Sequence, residues 1–252
     1  MIPGKIENYL NKRKAEEGCL FFGVIDPVDH LSIESAVKAA VQTYKDGADA
    51  IVVGGSIGAQ GFILNRTIKG IKEQTDAPVI LFPGNIATIS PYADAIYFMS
   101  MYNSRNPYWI FGAQLMAAPV IESMKLESIP TAYLMVEPGG TAGWVADCKL
   151  IPRDKPNFAA YSALAADLMG SRFVITDVGS AAPAPVPAKI VEAVRKSISG
   201  FYIVAGGIRS PKQVKDIVCA GADAIHVGTA IEKKGSVSNL IRACKSEAKK
   251  RL

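Results

Sequence analysis

A carboxylate and a hydroxyl stand at the ends of two apolar runs, where residues that bind ligands are often found. Asp26 closes the run Val24-Ile-Asp26-Pro27, and the next run ends in Gly54-Gly-Ser56. If both runs are neighbouring strands, the two oxygen ligands lie side by side. Together with phosphate oxygens of a ligand they suit Mg²⁺, which prefers octahedral oxygen coordination. The sequence therefore offers Asp26 and Ser56 as magnesium ligands, although Asp26 could equally serve only to cap a turn before Pro27.

Small residues with backbone N–H groups follow three successive apolar runs in the second half of the chain. They lie in Val178–Ala181, Gly206–Gly207 and Gly228–Thr229. Glycine lets the backbone approach an anion closely, and the start of a following helix adds partial positive charge. The pattern predicts a phosphate-binding cup and therefore a phosphorylated ligand.

Two further carboxylates also end apolar runs. Asp177 directly precedes the predicted cup, where it could accept a hydrogen bond from a substrate hydroxyl and take its proton. Glu137 could orient a loop or bind a polar ligand group, or it could simply be solvated. His226 lies between Ile225 and Val227 in an apolar run, which indicates a structural histidine with satisfied hydrogen bonds.

Apolar runs alternate with amphipathic stretches along the chain, which favours repeated βα units and a parallel sheet. Eight strands indicate a closed (β/α)8 barrel, in which strand-end residues gather at one mouth. A weak repeat, Ala-Asp-Ala at 48–50, 93–95 and 222–224, marks strand starts. The predicted strands are Cys19–Asp26, Ala50–Gly54, Val79–Phe82, Ala95–Met99, Ala132–Val136, Phe173–Asp177, Phe201–Ala205 and Ala224–Val227.

One connection is too short for a full crossover helix. Only residues 83–94 separate the third and fourth predicted strands, and they include Pro83 and Pro91. We therefore expect the barrel to lack a proper third helix and to have an opening there. The following stretch is rich in large apolar residues, among them Tyr102, Trp109 and Leu115. These three could form the wall of a groove for a long apolar ligand, or they could pack against the barrel in the ordinary way.

Composition fits one globular barrel. The chain has 252 residues, 49% of them hydrophobic and 20% charged, with a net charge of +5. We expect a single domain over residues 1–252. Basic and aromatic residues do not interleave as on a nucleic-acid surface, so no nucleic-acid partner is expected. The four cysteines are widely spaced, and neither a signal peptide nor a membrane-spanning run is visible, so we expect a cytoplasmic protein.

These motifs, in this order, resemble the geranylgeranylglyceryl phosphate synthases and the related bacterial heptaprenylglyceryl phosphate synthases. The resemblance covers residues 20 to 245. It rests on Ile25-Asp26-Pro27, Val53-Gly-Gly-Ser56, Leu81-Phe-Pro-Gly84, Phe98-Met-Ser100, Asn103-Ser-Arg-Asn106, Ala132-Tyr-Leu-Met-Val-Glu-Pro-Gly139 and Ala205-Gly-Gly-Ile-Arg209.

The resemblance implies Mg²⁺-dependent transfer of a geranylgeranyl group from geranylgeranyl diphosphate to the 3-hydroxyl of sn-glycerol 1-phosphate. That reaction makes the first ether bond of archaeal membrane lipids. The resemblance further implies a homo-oligomer and a magnesium site at Asp26 and Ser56. It assigns glycerol phosphate to Ile175, Thr176, Asp177, Val178, Gly179, Ser180, Ala181, Gly206, Gly207, Gly228 and Thr229. Apart from the resemblance, basic residues cluster at Lys12-Arg-Lys14 and Lys249-Lys-Arg251, where they could make transient contact with a membrane surface or could simply be solvated helix ends.

The chain departs from the family pattern in the segment that would hold the acceptor. Where the family commonly has Tyr-Leu-Glu-Ala-Gly-Ser-Gly, this chain has Ile175-Thr-Asp-Val-Gly-Ser-Ala181. Two alternatives therefore stand beside prenyl transfer. One is a barrel that acts on another small phosphorylated metabolite, and the other is a non-catalytic relative that binds lipid phosphates.

Overall fold

Eight parallel strands close a barrel in chain order, from β1 round to β8 and back to β1. The structure is a computed structural model that describes residues 2–234 and 236–252. The strands are β1 (Leu20–Ile25), β2 (Ala50–Gly54), β3 (Val79–Phe82), β4 (Ala95–Met101), β5 (Glu127–Met135), β6 (Phe173–Asp177), β7 (Phe201–Ala205) and β8 (Ala224–Val227). The predicted α/β class and (β/α)8 architecture are confirmed.

Helices surround the barrel and also close its amino-terminal end. They are α1 (Lys5–Glu17), α2 (Ile33–Lys45), α3 (Gly61–Gln74), α4 (Ala113–Met124), α5 (Gly140–Val145), α6 (Pro156–Leu168), α7 (Ala188–Ser197), α8 (Pro211–Cys219), α9 (Thr229–Lys234) and α10 (Ser238–Ala248). Ile6 and Leu10 of α1 pack against the residues that fill the barrel interior. None of the helices in the described residues is long and apolar enough to cross a membrane.

Side-chain alternation separates an inner core from an outer one. On β6, Phe173 and Ile175 point into the barrel, whereas Val174 points toward the surrounding helices. The inner core is rich in aromatic rings, and the rings of Phe173 and Phe201 stack at 4.6 Å. The interior is thus a packed core, and the main candidate site of the fold is its carboxyl-terminal mouth.

The fifth strand starts earlier than the sequence predicts. Expected from Ala132, it begins at Glu127, and β4 also runs on to Met101, so β5 pairs with β4 over the whole length of β4. The sequence did not predict this start because glutamate, at position 127, and proline, at position 130, are both uncommon in strands. Glu127 has its own role there, because its carboxylate accepts hydrogen bonds from the backbone N–H groups of Ile6 and Glu7 at the start of α1.

The repeated Ala-Asp-Ala sequence ties neighbouring strands together at the amino-terminal end of the barrel. Each aspartate accepts a hydrogen bond from a backbone N–H near the start of the preceding strand. The pairs are Asp49 with Phe21, Asp94 with Val79 and Asp223 with Tyr202, at 2.8, 2.8 and 2.9 Å. Each carboxylate also pairs with a cation, supplied by Lys245, Lys72 and Arg195 respectively. The repeat is therefore a structural device of the barrel.

Asp49→Ala is expected to lower the free energy of unfolding by about 2 kcal/mol, because hydrogen bonds to a charged group are among the stronger ones. The Asp49 side chain is 1% exposed and also binds Arg13 and Lys245. Urea unfolding measures the loss. Asp154→Ala is the control, since that side chain is 77% exposed. Equal losses in the two variants would contradict the role given to Asp49.

The helix that would follow β3 is missing, as the sequence predicts. Residues 83–94 run from β3 to β4 without a helix. After β4 the chain makes a π-helical turn at Tyr108–Gly112 and then enters α4. The outer face of β4 beside this connection is therefore covered only by loops and by α4.

Candidate active site

A cleft lies at the carboxyl-terminal mouth of the barrel. Its volume is about 380 Å³, which lies in the usual range for small-molecule sites. Residues at or just after every strand contribute to its lining, so strand-end groups from distant parts of the sequence meet there. The cleft has a polar part above the barrel axis and an apolar arm that passes over β4.

Asp26 and Ser56 both line the polar part of the cleft, as predicted. Asp26 also caps the short turn after β1, where its Oδ1 accepts a hydrogen bond from Val28 N at 3.2 Å. The cap and the cleft position therefore occur together. The backbone just after β2 passes close to Asp26, since a Cβ added to Gly55 would lie 2.4 Å from the Asp26 carboxylate.

Burial raises the pKa of Asp26 to about 7, with Asp29 and Glu232 adding to the effect by charge repulsion. No salt bridge to Asp26 is present among the described residues, so this carboxylate lacks a protein cation. A bound cation would relieve this cost. Within residues 2–234 and 236–252, no cluster of three or more metal-binding side chains exists. Asp26 and Ser56 offer one carboxylate and one hydroxyl, and oxygen donors of this kind suit a hard ion such as Mg²⁺, which often keeps several waters.

Asp177 lies at the end of β6 and is held by two hydrogen bonds. Its Oδ2 accepts from the Tyr133 hydroxyl at 2.7 Å, and its Oδ1 accepts from Gly179 N at 2.6 Å. Burial raises the pKa of Asp177 above its ordinary value, while these hydrogen bonds partly lower it. The result is a fixed carboxylate that borders the cleft and can accept a proton.

Tyr133 was missed by the sequence reasoning. It lies on β5 directly beside Ile175 in the strand register, and it lines the cleft. Its position two residues before Met135 on the inward face of β5 was the available signal. Where the family pattern has a tyrosine at position 175, this chain has a buried isoleucine, and Tyr133 supplies the hydroxyl that reaches Asp177.

The phosphate-binding cup is assembled from the ends of β6, β7 and β8. Gly206 and Gly207 turn the backbone with φ angles of +83° and +68°, a region that favours glycine. A Cβ on Gly206 would lie 2.5 Å from Asp177 Oδ1. The Ser180 and Thr229 hydroxyls lie 3.3 Å apart across the mouth. The predicted residues that line the cleft are Asp177, Ser180, Gly206, Gly207, Gly228 and Thr229.

Three other predicted acceptor residues do not reach the cleft with their side chains. Ile175 is fully buried in the inner core, and Val178 is fully buried in the outer core. The Thr176 hydroxyl points outward and pairs with the Tyr202 hydroxyl at 2.8 Å. Strand alternation explains the outward directions of Thr176 and Val178, because only every second residue along the chain here faces the barrel interior. Ile175 does face the interior, but it is buried within the inner core.

Gly179 and Ala181 also differ from the prediction. The Gly179 N–H donates to Asp177, so it organises that carboxylate. Ala181 lines a shallow neighbouring depression, and its φ of +58° is the left-handed conformation in which the family pattern has glycine.

The apolar arm runs across the outer face of β4. Inward-facing Tyr97 and Met99 line the cleft together with outward-facing Ile96 and Phe98, which the missing helix would otherwise cover. The opposite wall comes from Trp109 of the π-helical turn and from Ala113, Ala117 and Ile121 of α4. The arm therefore opens where the short connection predicts a gap.

Of the three residues predicted to form the groove wall, Trp109 lines the cleft, whereas Tyr102 and Leu115 do not. The Tyr102 hydroxyl lies 3.3 Å from Ser171 Oγ, and its ring packs against the outer core. Leu115 is 61% exposed and does not line the cleft. Helix α4 is apolar on several faces, so its sequence did not reveal which face meets the arm.

His226 lies on the floor of the cleft, and its hydrogen bonding is only half satisfied. Its Nε2 lies 3.1 Å from the Tyr97 hydroxyl, whereas its buried Nδ1 has no hydrogen-bond partner in the part of the chain that the structure describes. The prediction of a fully satisfied histidine is therefore wrong for one nitrogen. Burial lowers the pKa of His226 to about 3, so the ring is neutral at ordinary pH.

Glu137 does not line the cleft and instead orients a loop, one of the two roles the sequence left open. Its carboxylate accepts a hydrogen bond from Arg153 N at 3.3 Å. Arg209 and Glu232, which the sequence did not single out, both line the cleft.

Comparison with protein families places this geometry in context. The model of the PcrB family matches residues 12–247. The chain belongs to the PcrB family. Among relatives, it is 52% identical over 237 residues to a geranylgeranylglyceryl phosphate synthase of Pyrococcus furiosus, covering 94% of each chain. It is 48% identical over 249 residues to one of Thermococcus sibiricus, covering 99% of this chain and 94% of the relative.

Solved structures of the PcrB family share the whole fold. The (S)-3-O-geranylgeranylglyceryl phosphate synthase of Thermoplasma acidophilum, crystallised with its substrate sn-glycerol-1-phosphate, superposes with a TM-score of 0.87 at 38% identity. The match covers 99% of this chain and 98% of that one. The synthase of Thermoplasma volcanium gives a TM-score of 0.89 at 36% identity, covering 96% and 97%.

Proposed function

We propose that this chain is a Mg²⁺-dependent geranylgeranylglyceryl phosphate synthase. It transfers the geranylgeranyl group of geranylgeranyl diphosphate to the 3-hydroxyl of sn-glycerol 1-phosphate. The observation that carries the proposal is one continuous cleft that joins a glycine-rich cup, two carboxylates and a long apolar arm. Relatives with this activity share about half of the sequence over nearly the whole chain. A barrel acting on a small polar metabolite would have no use for the arm.

The cup at Ser180, Gly206, Gly207, Gly228 and Thr229 binds the phosphate of the acceptor in this proposal. Arg209 lines the same part of the cleft and adds positive charge. Anchoring the phosphate leaves the glycerol hydroxyls pointing toward Asp177. When the acceptor is fixed in this way, it loses its translational and rotational freedom on binding. The chemical step then no longer has to overcome that entropic cost.

Asp177 accepts the proton of the attacking 3-hydroxyl. The new bond forms between that oxygen and C1 of the prenyl chain, while the bond from C1 to the diphosphate oxygen breaks. The electron pair leaves with the diphosphate. Tyr133 and Gly179 N hold the carboxylate in place for this transfer.

Asp26 and Ser56 would hold the magnesium ion, which neutralises charge on the departing diphosphate. The buried Asp26 carboxylate, with its pKa raised to about 7 and no ion pair to a protein cation, supports this assignment. One or two protein oxygens are sufficient for Mg²⁺, since the diphosphate and water complete its coordination.

The apolar arm binds the prenyl chain. Ile96, Phe98, Trp109, Ala117 and Ile121 give it an aliphatic and aromatic lining. Burial contributes about 0.8 kcal/mol for each CH₂ group. A long isoprenoid therefore gains most of its binding energy away from the reacting carbon.

The test is incubation with radiolabelled geranylgeranyl diphosphate and sn-glycerol 1-phosphate, with and without Mg²⁺. The expected result is a labelled ether lipid phosphate that appears only with both substrates and the metal. Binding of both ligands without product would indicate the non-catalytic alternative. Product formation without Mg²⁺ would remove the metal from the proposal.

Ala117→Phe is expected to shift the enzyme toward a shorter prenyl donor, because Ala117 is 8% exposed and lines the arm. The larger ring would occupy space that the distal isoprene units need. The measurement is the ratio of kcat/KM for farnesyl and geranylgeranyl diphosphate. Leu115→Phe, on the exposed face of the same helix, is the control and is expected to leave the ratio unchanged. A shift of equal size in both variants would contradict the position of the arm.

We also propose that the chain forms a homo-oligomer. Phe158, Tyr161 and Leu168 of α6 are exposed, and Asp167 is the one charged residue of that helix. Large exposed apolar side chains three and seven residues apart lie on one face of a helix, and exposed apolar surface is typical of an interaction site. Sedimentation velocity tests the proposal, and a monomer at all concentrations would contradict it. A cytoplasmic location fits the free cysteines, and transient contact with a membrane surface fits a lipid donor and product.

A further inference from the structure

The loop between β6 and α7, residues 178–187, cannot hold its own shape through polar side chains. Its sequence is Val-Gly-Ser-Ala-Ala-Pro-Ala-Pro-Val-Pro, and Ser180 carries its one polar side chain. Its prolines have no backbone N–H to donate. The loop nevertheless supplies Ser180 to the cup and Gly179 N to Asp177. Backbone N–H groups donate to the carbonyls of Val178, Gly179 and Pro187, while the carbonyls of Ala181, Pro183 and Pro185 accept hydrogen bonds from side chains outside the loop.

Two arginines from flanking loops provide these donors. From the β7 side, Arg209 donates through Nη2 to Ala181 O at 2.7 Å and through Nη1 to Pro183 O at 3.4 Å. From the β5 side, Arg153 donates through Nη2 to Pro185 O at 2.7 Å. The loop is thus held from both sides by charged donors, which make stronger hydrogen bonds than neutral ones.

Each arginine is itself anchored on the side away from the loop. Arg153 donates through Nη1 to Glu137 O at 3.1 Å, and its backbone N–H donates to the Glu137 carboxylate. The backbone N–H of Arg209 donates to Gln213 Oε1 at 2.8 Å, at the start of α8. The guanidinium groups therefore connect the loop to fixed parts of the barrel.

Close packing completes the arrangement. A Cβ on Gly207 would lie 2.5 Å from Ala184 O, so the β7 turn lies directly against the loop. Ala181 keeps a left-handed φ of +58° although it is not glycine. A conformation of this kind persists only where its surroundings determine it.

We propose that Arg153 and Arg209 are positioning residues that hold loop 178–187 in the shape that binds the glycerol phosphate acceptor. This inference rests on the proposed function and names two residues on which acceptor affinity depends. Arg153 is the cleaner test of the two. It does not line the cleft, so it acts on the acceptor only through the loop, whereas Arg209 also brings charge into the cleft.

The experiment compares Arg153→Met, Arg153→Lys and the wild type. Arg153→Met is expected to raise the KM for sn-glycerol 1-phosphate about ten-fold, the effect of losing one charge-assisted hydrogen bond. The KM for geranylgeranyl diphosphate is expected to stay the same. Arg153→Lys keeps the positive charge but has a single donor nitrogen, which cannot reach both Glu137 O and Pro185 O as the two Nη atoms do, so an intermediate KM is expected.

Lys155→Met is the matched control. It removes a positive charge from the same connection, and the Lys155 side chain is 56% exposed and pairs with Asp154. Amide hydrogen exchange of loop 178–187 supplies a second readout. Faster exchange in Arg153→Met, with the control unchanged, would support the inference.

Calorimetric binding of sn-glycerol 1-phosphate, without any prenyl donor, distinguishes a failure of the positioning role from a failure of the proposed function. A wild type that binds the acceptor as tightly as Arg153→Met does would overturn the positioning role and leave the proposed function standing. Equal rises in KM for both substrates would overturn it as well, since they would indicate a general structural defect. A wild type that does not bind the acceptor would overturn the proposed function and this inference with it.

Discussion

Asp26→Asn is expected to reduce turnover at least about 100-fold while the fold is retained. Even residues that only support a metal ligand cost 10- to 100-fold when replaced, so loss of a ligand charge costs no less. The fold should survive because asparagine can replace aspartate as the cap that binds Val28 N. Steady-state kinetics at saturating Mg²⁺ measure the loss.

The same variant is expected to unfold at a higher temperature than the wild type at pH 8. The folded-state pKa of Asp26, about 7, lies above its ordinary value of 3.8. The folded protein therefore binds this proton more tightly than the unfolded chain does. Stability from this group is present below pH 3.8 and is lost as the pH rises through 7. Asparagine cannot ionise, so its advantage should appear at pH 8 and vanish near pH 3.

Magnesium supplies the discriminating measurement for Asp26. Added Mg²⁺ is expected to raise the Tm of the wild type at pH 8 and to leave that of Asp26→Asn unchanged. Asp29→Asn is the control, since it removes a nearby carboxylate that also lines the cleft. A Tm response to Mg²⁺ that survives in Asp26→Asn but not in Asp29→Asn would move the metal site to Asp29.

Tyr133→Phe is expected to move the acidic limb of the pH–rate profile to higher pH. The Tyr133 hydroxyl stabilises the ionised form of Asp177, and its loss leaves burial to raise the pKa of that carboxyl further. A general base works only when it is deprotonated. The measurement is kcat/KM for the acceptor between pH 5 and 9.

Asp177→Ala is expected to lower kcat/KM for the acceptor by about 10² to 10⁴, the usual contribution of a general base. Binding of the prenyl diphosphate should be unaffected. Thr176→Val is the control, because Thr176 lies next to Asp177 on β6 but pairs outward with Tyr202. Thr176→Val should reduce stability without moving the pH profile.

The outcome in Tyr133→Phe decides the role of Asp177. If the acidic limb of the pH–rate profile stays in place in that variant, Asp177 is not the group that titrates.

Strand ends and connection lengths were readable from the sequence. Asp26 and Asp177 each follow an apolar run, and parallel strands bring such positions to one mouth. The short segment at 83–94 excluded a helix by length alone. These inferences depend on local pattern, and the structure bears out the positions of these three features.

Contacts between distant strands were not readable in the same way. The bond from Tyr133 to Asp177 joins β5 to β6, and nothing in either strand's own pattern specifies it. The unpaired Nδ1 of His226 depends on what fills the barrel interior. The prediction that Leu115 lines the groove was wrong because α4 is apolar on several faces. Its sequence therefore did not indicate which face of the helix meets the cleft.

The missing helix has a consequence for how the barrel opens. Strands β3 and β4 pair at only two positions, Ile80 with Ala95 and Leu81 with Ile96, whereas β4 and β5 pair over all of β4. Cooperative opening of part of a protein starts where few hydrogen bonds and little packing hold the chain. The β3–β4 edge borders the apolar arm. Local opening of this strand pair would widen the arm for a lipid chain while the rest of the barrel stays closed. The strand pair at this position, with its two residue pairs, therefore lies beside the part of the cleft that we propose for the prenyl chain.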